Sequence, residues 1–563
     1  MSQTPAATPD TTDPFLWLED VQGDKPLGWV RERNALSQKE LTARPEYEPT
    51  RQQLLEVLNA KDRIPNVSRR GDWFYNLWQD EKNKRGLWRR TTLAEFRKPE
   101  PKWETVLDLD ALGAAENENW VWGGAACLGP SYRHCLISLS RGGADAKVVR
   151  EFDVAKKEFV KDGFTLPEAK SDVDWIDENT IYVATDFGPG AMTDSGYPRV
   201  IKRWTRGTPL SAAVTVFEGE AKDVAAHVSV DKTPGFERTL FYRALDFYNS
   251  KVFIRQGEKL VPLDIPSDAS PAFLRDTLLL HLRSEMKVGN TTFPAGTLLH
   301  TNAAAYLKGE RKLAPLFTPT TTRSLSGYTA TQGHVLLNII DNVAGKLEQW
   351  HKDGERFTRR EVKAPFPGSL GVSALHDPLI KNDPLAEAYW LSYTDFLTPD
   401  SLYLGSTAND DRELLKSRGA LFDSTGMRAE QRFATSKDGT KVPYFVVWPP
   451  GAKPDGTNPT LLYGYGGFEI SMKPWYSGGF GRAWYQRGGV LVVANIRGGG
   501  EFGPAWHQSA VKPNKQRSYD DFIAVAEDLI AAKITSPKHL GIMGGSNGGL
   551  LVGATVTQRP DLF

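Results

Sequence analysis

Cysteine is almost missing from this sequence, with only Cys127 and Cys135 in 563 residues. Two thiols do not make a disulfide framework; they read as small apolar side chains in a reducing compartment. Net charge is missing too, since 69 Lys and Arg balance 69 Asp and Glu. That argues against a nucleic-acid or anionic-membrane partner, either of which would show as a basic excess. No apolar run approaches the ~20 residues needed to cross a bilayer. The opening MSQTPAATPDTTDPF has neither a basic n-region nor an apolar h-region, so no secretory leader is expected. A cytoplasmic protein with no membrane contact follows as the expectation. The glycine-rich runs do not match G-x-x-x-x-G-K-[ST], and Asp520-Asp521 reads as a solvated helix start rather than a metal pair. No metal and no cofactor is expected.

What is present is length, too much for one compact core, and three textures along it. Residues 1–66 read as an N-terminal helical segment that packs on the last domain. Leu27, Val30 and Asn34 share one helix face, and Leu54, Leu55 and Leu58 share another. Residues 67–417 carry short β-type runs bounded by turn residues, such as Trp73–Trp78, Cys135–Leu139, Thr180–Thr185, Arg238–Tyr242, His334–Ile340 and Tyr389–Tyr393. About 350 residues at ~40–50 per blade predicts an all-β propeller of roughly seven blades. Residues 418–563 read as α/β. A hairpin flanks Asp438-Gly439, and Thr460–Tyr463 and Val490–Ile496 are apolar enough for buried parallel strands. Phe522, Val525, Ala526, Leu529 and Ile530 predict an amphipathic helix with Ser518 as its N-cap. A strand over Leu540–Met543 and a helix over Asn547–Gln558 follow.

Between that last strand and helix lies Gly544-Gly545-Ser546-Asn547-Gly548-Gly549, which fits the nucleophile elbow G-x-S-x-G. Glycine on both sides permits a turn tight enough to leave the Ser546 hydroxyl at its tip. The helix dipole and the Asn547 N–H then face developing negative charge. Two further glycine-rich loops, Tyr463–Phe468 and Arg497–Gly503, follow strands and gather at the same sheet edge. A phenol from the first could donate to an oxyanion, although a tyrosine in a glycine-rich loop also reads as a packed aromatic.

The strings YGYGGF, NIRGGGEFG, SYDDF, SPKHL and GGSNGGLL, in this order, with DPFLWLED near the start, resemble the prolyl oligopeptidase family of serine peptidases. The resemblance is dense over residues 437–563 and at Asp13–Asp20. It implies an α/β-hydrolase domain, C-terminally incomplete here, capped by an all-β seven-bladed propeller that admits short peptides and excludes folded proteins. It implies Ser546 as nucleophile, the Asn547 N–H and Tyr465 hydroxyl as the oxyanion hole, and Phe468 as the wall for a substrate proline ring. The substrates implied are oligopeptides cut after proline through an acyl-enzyme, and the protein is expected to be a monomer.

The pattern breaks after the serine. Only 17 residues follow Ser546, with Asp561 their one carboxylate and no histidine among them, whereas the hydrolase order is Ser, Asp, His. Of the nine histidines, His507 alone is placed to lie near the site; it reads as structural, with a catalytic substitute as the other reading. His539 is expected at the far edge of the sheet. The sequence therefore reads as a fragment lacking the base and its acid, inactive as it stands, with an unpaired sheet edge. Oligopeptidase B-like, dipeptidyl or acylaminoacyl specificity are the alternatives within the fold. Outside it stand a non-catalytic propeller binding protein and a generic esterase.

Overall fold

The computed structural model describes residues 13–354, 356–363, 368–409 and 411–563. The leader reading of the first twelve residues lies outside the described residues. From Ser68 to Ser417 the chain forms seven antiparallel sheets in sequence order, each with at least four strands. This is the seven-bladed propeller. The fifth blade adds a hairpin of Met286–Val288 and Thr291–Phe293.

Inner strands are apolar at consecutive positions because both faces of each blade are covered. Leu278 and Leu280 pack toward the fourth blade, and Leu279 between them packs toward the sixth. Leu336 and Leu337 divide in the same way between the seventh blade and the fifth. First and last blades are each built from consecutive strands, so side chains close the ring. Phe74 and Phe96 of the first blade meet Leu375, Trp390 and Leu415 of the last. Arg69 there grips Asp383 with two hydrogen bonds of 2.9 and 2.7 Å, and this buried pair holds the Asp383 carboxyl down at about 2.

The cysteines correct the sequence reading. Cys127 and Cys135 stand directly opposite each other on neighbouring strands of the second blade and form a disulfide. The reading of a reducing compartment loses its support.

The last domain is a five-stranded sheet in the order Arg428–Thr435, Lys441–Trp448, Val490–Ala494, Thr460–Tyr463, Leu540–Met543. Its last three strands are parallel. Helix Gln516–Ala531 covers one face with Phe522, Val525, Ala526 and Leu529, all buried. Ser518 is not its N-cap. It sits in the first turn, buried, and donates instead to the Arg497 carbonyl at 2.7 Å. Strand Leu540–Met543 forms an edge where Met543 and Leu550 are 47% and 57% exposed. Helix Tyr47–Leu58 lays Leu54 and Val57 against Gly478 and Gly479 of this domain. Helix Asp24–Thr42 buries only Pro26.

Candidate active site

Only two glycines separate strand Leu540–Met543 from Ser546, and helix Asn547–Gln558 begins directly after it. Ser546 has φ 54° and ψ −118°. A residue with a side chain held in so sparsely populated a region costs on the order of 1–3 kcal/mol, and it persists only where the surroundings over-determine it. Here they do. The Gly548 and Gly549 N–H groups donate to the Gly545 and Ser546 carbonyls, each at 2.8 Å. A Cβ on Gly544 would lie 2.5 Å from the Gly548 carbonyl oxygen, and one on Gly548 would lie 2.7 Å from that of Gly464. The turn can close only on glycine at those positions. Ser546 is exposed, and its hydroxyl has no hydrogen-bond partner among the described residues.

The adjoining loop is tied to the elbow. The Asn547 side-chain amide donates to the Tyr465 carbonyl at 2.6 Å, and the Lys515 ammonium donates to the Gly466 carbonyl at 2.5 Å. The third loop supports it from below at backbone distance. Added Cβ atoms on Gly498 and Gly500 would lie 2.3 and 2.1 Å from the Gly466 and Glu469 carbonyl oxygens, which explains the glycine run. The half-buried Tyr465 hydroxyl has no partner among the described residues. Phe468 is 45% exposed and meets Phe247 of the fourth blade edge-on, with ring centroids 5.2 Å apart. Two aromatic rings, one from each domain, therefore flank the same space.

His507 is buried and both its ring nitrogens are engaged. Nδ1 accepts from the Arg283 guanidinium at 2.7 Å, and Nε2 lies 3.3 Å from the Tyr248 hydroxyl. Burial, with help from the Arg283 and Lys515 charges, pushes this imidazole down to about 4. It stays neutral and structural, and it is not a substitute base. His539 lies before the strand that leads to Ser546, where its carbonyl accepts from Thr460 N–H at the opposite sheet end. Asp561 pairs with Arg559 at 2.7 Å. Among the described residues no three His, Cys, Asp or Glu side chains gather as a metal would require.

Sequence reasoning missed three groups here. Asp521 is not solvated: it is fully buried and doubly bonded to Arg497. Arg283 reaches the site from the propeller, a contact no local motif announces. Glu501, in the third loop, is buried, and its Oε1 accepts from Met472 N–H at 2.8 Å. Its Oε2 and the Asn495 Oδ1 have no hydrogen-bond partner among the described residues. Burial pushes the Glu501 carboxyl up to about 7. The folded state therefore holds a proton that the unfolded chain releases near 4.5. Stability from this group is complete below about pH 4.5 and is lost as pH rises to about 7, on the order of 3 kcal/mol. Denaturant midpoints measured at pH 5 and pH 7.5 are expected to fall for the wild type, and Glu501→Gln to remove that decline.

Comparisons with known proteins agree with this architecture. The family description "Prolyl oligopeptidase, N-terminal beta-propeller domain" matches residues 3–418, and "Prolyl oligopeptidase family" matches residues 477–563. An uncharacterized peptidase of Sinorhizobium fredii is 42% identical over 99% of this chain and 77% of its own length. A prolyl endopeptidase of Elizabethkingia miricola is 28% identical over 98% of this chain and 75% of its own. The structure of a post-proline cleaving enzyme from Rickettsia typhi superposes with a TM-score of 0.90 at 34% identity, covering 97% of this chain and 81% of that one.

Proposed function

Because the chain belongs to the prolyl oligopeptidase family of serine peptidases, we propose that it hydrolyses short peptides after proline through an acyl-enzyme on Ser546. The observation that carries the reading is the pairing of a strained, exposed serine with a loop roped to its neighbour by the Asn547–Tyr465 hydrogen bond. The Ser546 Oγ attacks the scissile carbonyl carbon and gives its proton to a base. The carbonyl oxygen becomes an oxyanion that accepts from the Asn547 N–H and the Tyr465 O–H. Collapse breaks the C–N bond, the amine leaves with the proton, and water then hydrolyses the ester. Phe468 gives a flat apolar face to a pyrrolidine ring, which has no amide proton to satisfy. Glu469, the carboxylate beside it, is ion-paired with Arg283 at 2.8 Å and so is not free to recognise a basic side chain. A proline ester reporter should be turned over well ahead of an arginine ester; the reverse order would make the enzyme oligopeptidase B-like.

If Tyr465 donates to the oxyanion and not to the ground state, Tyr465→Phe lowers kcat by about 10²–10³ with KM nearly unchanged. Steady-state kinetics on the proline reporter reads both. The reaction also needs an imidazole, and none of these residues bonds one to Ser546.

A further inference from the structure

Resting on that reading, we propose that Arg283 of the propeller is a positioning residue for the catalytic loop, holding Tyr465 and Phe468 in place across the domain boundary. Arg283 lies in the fifth blade, between strand Thr277–His281 and the Met286–Phe293 hairpin. Its Nε donates to Glu469 Oε2 at 2.8 Å, and its second amino group donates to His507 Nδ1 at 2.7 Å. Its plane covers the Tyr248 ring at 3.5 Å, and its own carbonyl accepts from the Gln508 amide at 2.8 Å. One propeller side chain thus touches the Tyr463–Glu469 loop and the helix after the third loop together.

That loop needs such a hold. Phe468 and Glu469 are consecutive L-residues with φ 54° and 59°, a conformation that relaxes unless it is over-determined. Within its own domain the segment has the Glu469 N–H to Gly498 carbonyl bond at 3.2 Å and the Ile470 N–H to Gly467 carbonyl bond at 3.1 Å. The Asn547 and Lys515 bonds hold the loop further back, at Tyr465 and Gly466, and Phe247 meets the Phe468 ring; Arg283 is what grips the Glu469 side chain, and both members of that pair are largely shielded, at 17% and 24% side-chain exposure. The planar fork suits this task and a lysine does not, because lysine offers a point charge without the stacking face. His507 serves the same assembly: a guanidinium only donates, so Nδ1 accepts and Nε2 carries the proton toward the Tyr248 oxygen.

The test is a double-mutant cycle with an exchange readout. Arg283→Met is expected to lower kcat at least tenfold and to raise KM. In a Tyr465→Phe background the kcat factor should shrink below twofold while the KM rise through Phe468 remains. Arg283→Lys should not rescue. Amide hydrogen exchange at Glu469 and Ile470 should quicken at least tenfold in Arg283→Met, with the strand Val490–Ala494 unchanged. An equal kcat loss in both backgrounds, or unchanged exchange at Glu469, overturns the proposal. Quickened exchange in a protein that cleaves no proline reporter would uphold the tether and overturn the peptidase reading instead.

Discussion

Ser546→Ala is expected to lower peptidase activity by roughly a million-fold, because the members of a catalytic triad act as one unit and removing the nucleophile costs as much as removing all of it. Folding should be untouched. The side chain is exposed and its hydroxyl has no hydrogen-bond partner among the described residues. The backbone adds a second arm to the experiment. At φ 54° and ψ −118° any side chain is strained, so Ser546→Gly should relieve on the order of 1 kcal/mol and unfold later than the wild type while remaining equally inactive. Activity and thermal melts on the two variants read these effects separately. A stabilised, inactive glycine variant is what a serine held in strain for function predicts.

Arg497→Met is expected to cost about 3–5 kcal/mol of stability, the loss seen when one partner of a buried ion pair is removed. Arg497 bonds Asp521 at 2.6 and 2.9 Å and Asp438 at 2.5 Å, and its own N–H donates to Asp521 at 2.9 Å. Its carbonyl is held by Ser518. These contacts fasten the start of the glycine-rich loop to helix Gln516–Ala531, so the loop can press against the Gly466 and Glu469 carbonyls. With the guanidinium gone, Asp521 is a buried charge without a cation. Adding Asp521→Asn should recover much of the loss, because the uncompensated charge disappears. Urea denaturation of the single and double variants measures this. An additive second loss would mean that the pair is not the source of the effect.

The elbow was legible because its signals are local. Glycines at 544 and 548, an apolar strand before them and a helical pattern after them are all written within about twenty residues, and alternation and turn residues delimit single strands. The doubly apolar runs of the propeller follow from blades covered on both faces, as Leu278, Leu279 and Leu280 illustrate. What failed to show is what depends on partners remote in sequence. Ser518 had the chemistry of a cap, but the Arg497 carbonyl claimed it. Asp521 looked solvated because nothing near it announces Arg497. His507 is placed by Arg283 and Tyr248, more than two hundred residues earlier. The disulfide had a usable signal: Cys127 and Cys135 are equally far in sequence from Ser131, in the turn of a hairpin, which puts them opposite each other.

On the proposed reaction the oxygen at position 546 is the attacking atom. Treating the full gene product with a fluorophosphonate, digesting it and locating the adduct by mass spectrometry tests this directly. One phosphonylated residue is expected, Ser546, with labelling abolished in Ser546→Ala and slowed in Tyr465→Phe. A protein that never labels, or that labels at another residue, would contradict it.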